Sequence, residues 1–181
     1  LKTAFPEIVG VNDSLLAKGI SVVFISVKKN RKNHIKELNE KLFSTFQLSN
    51  FPTPKFVIYV EDKADITDIK DCIWRFANNF DPKRDSYTPS YSPPKLGGEP
   101  EGEGGGIGLD GTRKTKTFDN FDRPWPNIIC ADEATIKSVD EKWNRLFVSP
   151  SGGGKREVPF IPSPSLKYRN QLYKGDAVAE E

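Results

Sequence analysis

Apolar positions in the first two-thirds of the chain follow two rhythms in turn. Residues Ile20 to Val27 read ISVVFISV, a β-branched run of strand length. It is nearly continuous rather than alternating, which predicts a strand buried on both faces. After a basic stretch from Lys28 to Lys36, the residues Ile35, Leu38, Leu42 and Phe46 recur at helical spacing. Phe51 to Pro54 breaks the pattern, and Phe56 to Val60 (FVIYV) forms a second buried strand. A second helix follows, with Asp65 as its N-cap and Asp68 in its first turn. Its stripe is Ile66, Ile69, Ile73, Phe76 and Phe80, and Pro82 stops it.

A β-α-β-α run with short connections predicts an α/β fold, with three α/β/α layers around a largely parallel or mixed sheet. From Pro89 to Gly111 the chain is dense in Gly and Pro and almost lacks a hydrophobic period, so residues 89–111 read as a long mobile loop. Asn127 to Cys130 reads as a third short strand. Asp132 then caps a last helix bearing Ile136, Val139, Trp143 and Leu146 on one face. Residues 1–148 are expected to form the domain, and residues 149–181 an irregular, linker-like tail.

Charge and composition narrow the functional classes. The 181 residues carry 27 basic and 25 acidic side chains, a net charge of +2. That balance gives no field suited to nucleic acid or an anionic membrane. No stretch approaches the roughly 18 apolar residues of a membrane span, and none reads as a secretory signal. Two cysteines, Cys72 and Cys130, suit a reducing, cytoplasmic setting. The single histidine, His34, leaves no His-rich metal site. The chain has no methionine and begins at Leu1, so it reads as a piece of a longer polypeptide.

Five segments invite a chemical reading. Gly106, Gly108 and Gly111 match G-x-G-x-x-G, the pattern of a phosphate-cradling turn in a stand-alone α/β nucleotide- or phosphate-binding module. An acidic Gly-rich loop precedes them, where that module needs a strand, and a poor helix start follows. Gly152 to Lys155 resembles half of a P-loop but reads as linker. The cluster Lys28, Lys29, Arg31, Lys32, His34 and Lys36 lacks interleaved aromatics and reads as a solvated face. Glu61, Asp62, Asp65, Asp68 and Asp71 crowd the end of the second strand, where ligands bind in open α/β sheets. Capping and solvation account for them more simply than a divalent cation does. The fifth segment pairs Asp81, Arg84 and Asp85 with the stretch Leu109, Asp110, Thr112, Arg113 and Lys114 around a Gly hinge. Charge-assisted hydrogen bonds from Arg84 and Asp85 would hold that stretch as it closes over something.

These segments resemble the C-terminal part of the UbiD-like carboxy-lyases, the 3-polyprenyl-4-hydroxybenzoate decarboxylases among them. Phe5 to Val9 resembles the P-E-I-V entry strand of that family, and Gly19 to Lys29 the apolar strand ending in Lys-Lys. Phe56 to Asp68 resembles the V-V-V-D-x-D-I-D-x-x-D block. Trp74 with Asp81 to Asp85 resembles W-A-x-x-x-R-x-D-P-x-R-D, and Gly108 to Lys114 resembles G-x-D-A-T-x-K. Asn79 or its neighbour stands where the family often has Arg, and Gly111 replaces Ala. The likeness covers residues 5 to 147.

The resemblance implies a non-oxidative decarboxylase of aromatic or α,β-unsaturated acids, in quinone biosynthesis or catabolism, using prenylated FMN and a divalent metal (Mn or Mg). By the same resemblance, flavin, metal and catalytic residues belong to a larger upstream domain, and this chain binds none of them. It would oligomerise and cap the substrate pocket, and be inactive alone. Asp81, Arg84, Asp85, Leu109, Asp110, Thr112, Arg113 and Lys114 are its candidate lid or domain-interface residues. Replacing Lys114 should then lower turnover without unfolding the protein. Phe5, Phe118, Phe121 and Trp125 are candidates for an exposed docking patch.

Overall fold

The computed structural model describes residues 3–48, 53–90 and 106–123, with scattered positions between 125 and 142. The chain divides into two compact units, Leu1–Arg123 and Pro124–Glu181.

Five strands form one sheet in the first unit: β1 (Ile8–Asn12), β2 (Val22–Val27), β3 (Phe56–Glu61), β4 (Ser86–Tyr87) and β5 (Ile107–Asp110), in the spatial order β1-β2-β3-β5-β4. The central strands are parallel, with Val22 opposite Phe56 and Phe56 opposite Ile107. Both edge strands are antiparallel to their neighbours, and β1 carries an irregularity between Ile8 and Gly10. The sheet is therefore mixed with a parallel core, as the alternating pattern predicts.

Among the described residues of the first unit, the α-helices are α1 (His34–Leu48), α2 (Ile69–Asn79) and the short α3 (Lys116–Asp119). Because β2 and β3 are buried on both sides, their alternate residues feed two cores. Val23, Ile25, Val27, Val57 and Tyr59 meet Ile35, Leu38, Leu42, Phe43 and Phe46 of α1 on one face. Phe24, Ile58 and Val60 meet Ile69, Cys72, Ile73 and Phe76 of α2 on the other. Each large apolar side chain so buried contributes about 1.5–3 kcal/mol. The result is three layers, with the carboxyl ends of β2, β3 and β5 along one edge of the sheet.

Four sequence expectations shift. Strand β1 begins at Ile8 rather than Phe5. Pro6 has no amide hydrogen for a ladder, and the Ile8 amide turns back to the Phe5 carbonyl at 3.0 Å. Phe5 is consequently a core residue and not an exposed docking residue. Helix α2 is capped by Asp68, whose carboxylate accepts the Lys70 amide at 2.9 Å. Asp65 instead closes the preceding turn on the Thr67 amide. Residues 107–110, read as loop, are strand β5. The expected strand at 127–130, the cap at Asp132, all four residues of the helix stripe after it, residues 91–105 and the tail at 149–181 lie outside the described residues. In the second unit, the six described residues from 134 to 142 are helical.

Candidate functional site

Strands β3 and β5 end in the acids Glu61 and Asp110, Lys29 lies just past the end of β2, and charged side chains converge on this edge. At the end of β3, Glu61 accepts from the Arg75 guanidinium of α2 at 2.5 Å, and Arg75 also pairs with Asp71 one turn earlier at 3.0 Å. Arg75 and Asp71 are buried. Burial alone would weaken the Arg75 charge, but the Glu61 and Asp71 carboxylates outweigh it and raise its pKa. Asn79 donates to Glu61 at 3.3 Å and to the Gly111 carbonyl at 3.0 Å. Two of the clustered carboxylates are thus partners of a buried arginine rather than solvated groups.

A second network lies at the end of β5. Lys114 is 1% exposed, and Asp85 and Asp110 are each 2% exposed. The Lys114 ammonium reaches Asp85 at 3.2 Å, Asp110 at 3.1 Å and the Asp110 carbonyl at 2.9 Å, so its three protons each have an acceptor. Arg84 grips Asp85 through both carboxylate oxygens at 2.8 and 2.7 Å, and Asp85 also accepts the Asp81 amide at 2.8 Å. Burial pushes the Asp85 pKa upward, yet the Arg84 bonds and the Lys114 charge hold it below the usual carboxylate value. Arg84 also stacks over Phe121, 5.6 Å from the ring centroid.

Thr112 is buried, donates to Asp110 at 2.5 Å, and accepts from the Lys29 ammonium at 3.2 Å. Lys29, just past β2, also reaches the Arg113 carbonyl at 2.8 Å and Asp119 at 2.7 Å. Asp119 in turn accepts the Thr115 amide at 2.7 Å, closing the turn before α3.

Of the eight residues singled out in the sequence, Asp85, Asp110, Thr112 and Lys114 are buried together. Asp81 and Arg84 are exposed at the rim, and Leu109 and Arg113 are half-buried. Leu109 packs in the α2-side core. The Arg113 amide donates to Glu61 at 3.3 Å, which joins the two networks. Lys29, Glu61, Arg75, Asn79 and Asp119 belong to the same edge and were not read as members of this site. Lys29 and Glu61 sat within charge clusters that gave no hint of a partner.

The glycine motif does not form a phosphate cradle. Gly108 is inside β5, and Gly111 is followed by irregular chain up to α3. A side chain at Gly106 would collide with Phe43, and one at Gly108 with Asn39. These glycines admit α1 against the sheet. The Asn39 that occupies this space accepts from the Tyr59 phenol at 2.9 Å and donates to the Tyr87 carbonyl at 3.0 Å. A nucleotide-binding module is thereby excluded at this segment. Among the described residues, no group of three His, Cys, Asp or Glu could hold a metal ion. Cys72 is buried, and burial with the nearby Asp71, Asp68 and Asp65 carboxylates pushes its thiol up to about 12, far from a reactive thiolate.

Parallel strands between two helical layers, with the carboxyl edge closed by the chain's own ion pairs, define an open α/β domain without a phosphate loop among its described residues. Residues 1–110 match the family described as the 3-octaprenyl-4-hydroxybenzoate carboxy-lyase C-terminal domain, and the chain belongs to that family. An uncharacterized protein of Archaeoglobus fulgidus is 27% identical over 156 residues, which is 81% of this chain and 30% of that protein. The open form of vanillic acid decarboxylase from Sedimentibacter hydroxybenzoicus is similar in fold, with a TM-score of 0.55 at 23% identity over 80% of this chain and 30% of that one. Its closed form gives 0.53 at 22% identity, over 82% of this chain and 30% of that one. The chain thus spans about 30% of the length of each of these relatives.

Proposed function

We propose that this chain is the C-terminal oligomerisation and lid domain of a cytoplasmic, prenylated-FMN-dependent decarboxylase of aromatic or α,β-unsaturated carboxylic acids, with quinone biosynthesis as one setting. The observation that carries the reading is the family match over residues 1–110. The fold likeness to an enzyme that acts on vanillic acid agrees with it.

The described residues do not fit a flavin or a divalent metal. The space over Gly106 and Gly108 is taken by Phe43 and Asn39 of α1 and that over Gly111 by Phe76 of α2, and Glu61, Asp71, Asp85, Asp110 and Asp119 are paired with Arg75, Arg84, Lys114 and Lys29. Prenylated FMN and Mn or Mg belong, in this reading, to an upstream flavin-binding domain. This chain supplies a shaped surface. Leu109 offers apolar wall, Arg113 meets the upstream domain or a second copy, and the Lys114 network keeps the 109–114 segment in one conformation. A wall fixed before the acid arrives loses little ordering entropy on binding.

The test is carbon dioxide release from a panel of aromatic and α,β-unsaturated acids with prenylated FMN supplied. The full-length polypeptide should release it, and this chain alone should not. Turnover by this chain alone, or a flavin-loaded full-length protein inert toward the whole panel, would refute the reading.

A further inference from the structure

We propose that Lys29 is a positioning residue whose ammonium latches the 112–119 segment and so sets the rim of the acid-binding pocket; the pocket role rests on the decarboxylase reading above. A continuous path of contacts supports it. Lys29 pairs with Asp119 and donates to Thr112, Thr112 donates to Asp110, Asp110 pairs with Lys114, Lys114 with Asp85, and Asp85 with Arg84. Three cations and three anions balance along this path, which ties the carboxyl edge together from β2 to β4. Lys29 anchors one end, and three of its contacts fall on a single short stretch: Thr112, the Arg113 carbonyl and Asp119.

Lys29 differs from Lys114 in what its loss would leave behind. The side chains of Lys29 and Asp119 are 9% and 15% exposed, against 1% for Lys114 and 2% for its partner Asp85. Water can replace the Lys29 ammonium at Asp119, whereas no water reaches Asp85 and Asp110 without opening the core. Removing Lys29 therefore affects the segment while the sheet stays intact. The contacts to Thr112, the Arg113 carbonyl and Asp119 are then gone, while Lys114, the Arg113 amide bond to Glu61 and the Arg84–Phe121 contact remain, so the segment loosens without detaching. A rim that contacts the acid equally in the ground and transition states changes KM and leaves kcat alone.

The experiment compares Lys29→Met and Lys29→Arg with the parent protein, by amide hydrogen exchange on this chain and by kinetics on the full-length enzyme. Lys29→Met should speed exchange across residues 113–119 by about tenfold while β2 and β3 keep their protection. In the full-length enzyme it should raise KM for the acid about tenfold with kcat within about twofold. Lys29→Arg, which can still pair with Asp119, should recover most of both effects. Unchanged exchange in Lys29→Met overturns the latch, and so does faster exchange spread over every strand, which would make Lys29 a general stabiliser. Faster local exchange with unchanged KM supports the latch and overturns its role at the pocket. Faster local exchange beside an inert parent enzyme sinks the decarboxylase reading instead, and the pocket role with it.

Discussion

Lys114 is the residue on which the carboxyl edge turns. The sequence suggested a group whose replacement would spare the fold, but the structure buries it between two carboxylates, of which Asp85 also has Arg84 and Asp110 pairs with no other cation among the described residues. Removing Lys114 leaves the buried Asp110 carboxylate without a cation, although Arg84 still holds Asp85, and loss of one partner of a buried ion pair costs about 3–5 kcal/mol. Lys114→Met should therefore lower the unfolding free energy by about that amount in a urea titration, a large part of a small domain's whole stability. Adding Asp110→Asn removes the stranded charge, so the double variant should be less destabilised than the two single losses summed. Additive losses would mean that the pair is not coupled. Arg84 and Asp85 stood out in the sequence as groups to hold the 109–114 stretch, but their grip on each other was not read there. Lys29 and its partner Asp119 lie 90 positions apart, and only the folded sheet brings them together.

At the scale of elements, hydrophobic rhythm carried β2, β3, α1 and α2, because each holds its own pattern of burial. Strand β5 was hidden for the opposite reason. Glycine is a poor strand former, and its value at Gly106 and Gly108 lies in the room it gives Phe43 and Asn39 on a helix more than 60 residues earlier. The cap of α2 moved from Asp65 to Asp68 because an Asp-x-x-Asp pair offers two caps, and only the turn between them decides which one begins the helix. Gly111 makes the same point quantitatively. A methyl group there would sit 2.7 Å from the Phe76 Cα and 3.0 Å from the Tyr59 carbonyl oxygen, so backbone rather than a side-chain tip must yield. Gly111→Ala, although Ala is the residue expected from the family motif, should cost about 1–3 kcal/mol by overpacking. It should also weaken the Asn79 bond to the Gly111 carbonyl. A melting temperature equal to the parent's would show that α2 can withdraw freely, and would remove the close approach as a constraint.

For the first unit as a whole, acid is the lever the structure predicts. His34 is buried at the start of α1, where its Nδ1 accepts the Asn30 amide at 3.2 Å and its Nε2 faces Glu7 at 3.4 Å. The accepting Nδ1 assigns the proton of the neutral ring to Nε2. A second proton would have to displace the Asn30 amide, and it would place a cation in the core. Burial lowers the His34 pKa and Arg31 adds to the fall; the Glu7 hydrogen bond and the charges of Glu7 and Glu37 oppose them without prevailing. The unfolded chain then binds the proton at higher pH than the folded one. Stability is complete above the unfolded histidine value, near 6.5, and is lost as pH falls toward the lowered folded value. Glu7 extends the loss to lower pH. Burial would raise its pKa, but the bond to its own backbone and the His34 contact hold it below normal, so the folded state resists its protonation as well. The urea midpoint should accordingly drop between about pH 7 and about pH 5, before ordinary carboxylates begin to titrate. His34→Asn keeps an acceptor near the Nδ1 position and cannot be protonated, so it should flatten that part of the curve, trim the share of Glu7 that depends on the His34 contact, and leave the fall below about pH 4.5 that belongs to Asp85. A parent midpoint that does not move between those two pH values, or an Asn variant that keeps the slope, would assign the acid sensitivity of the fold to the carboxyl edge and not to the joint between the entry segment and α1.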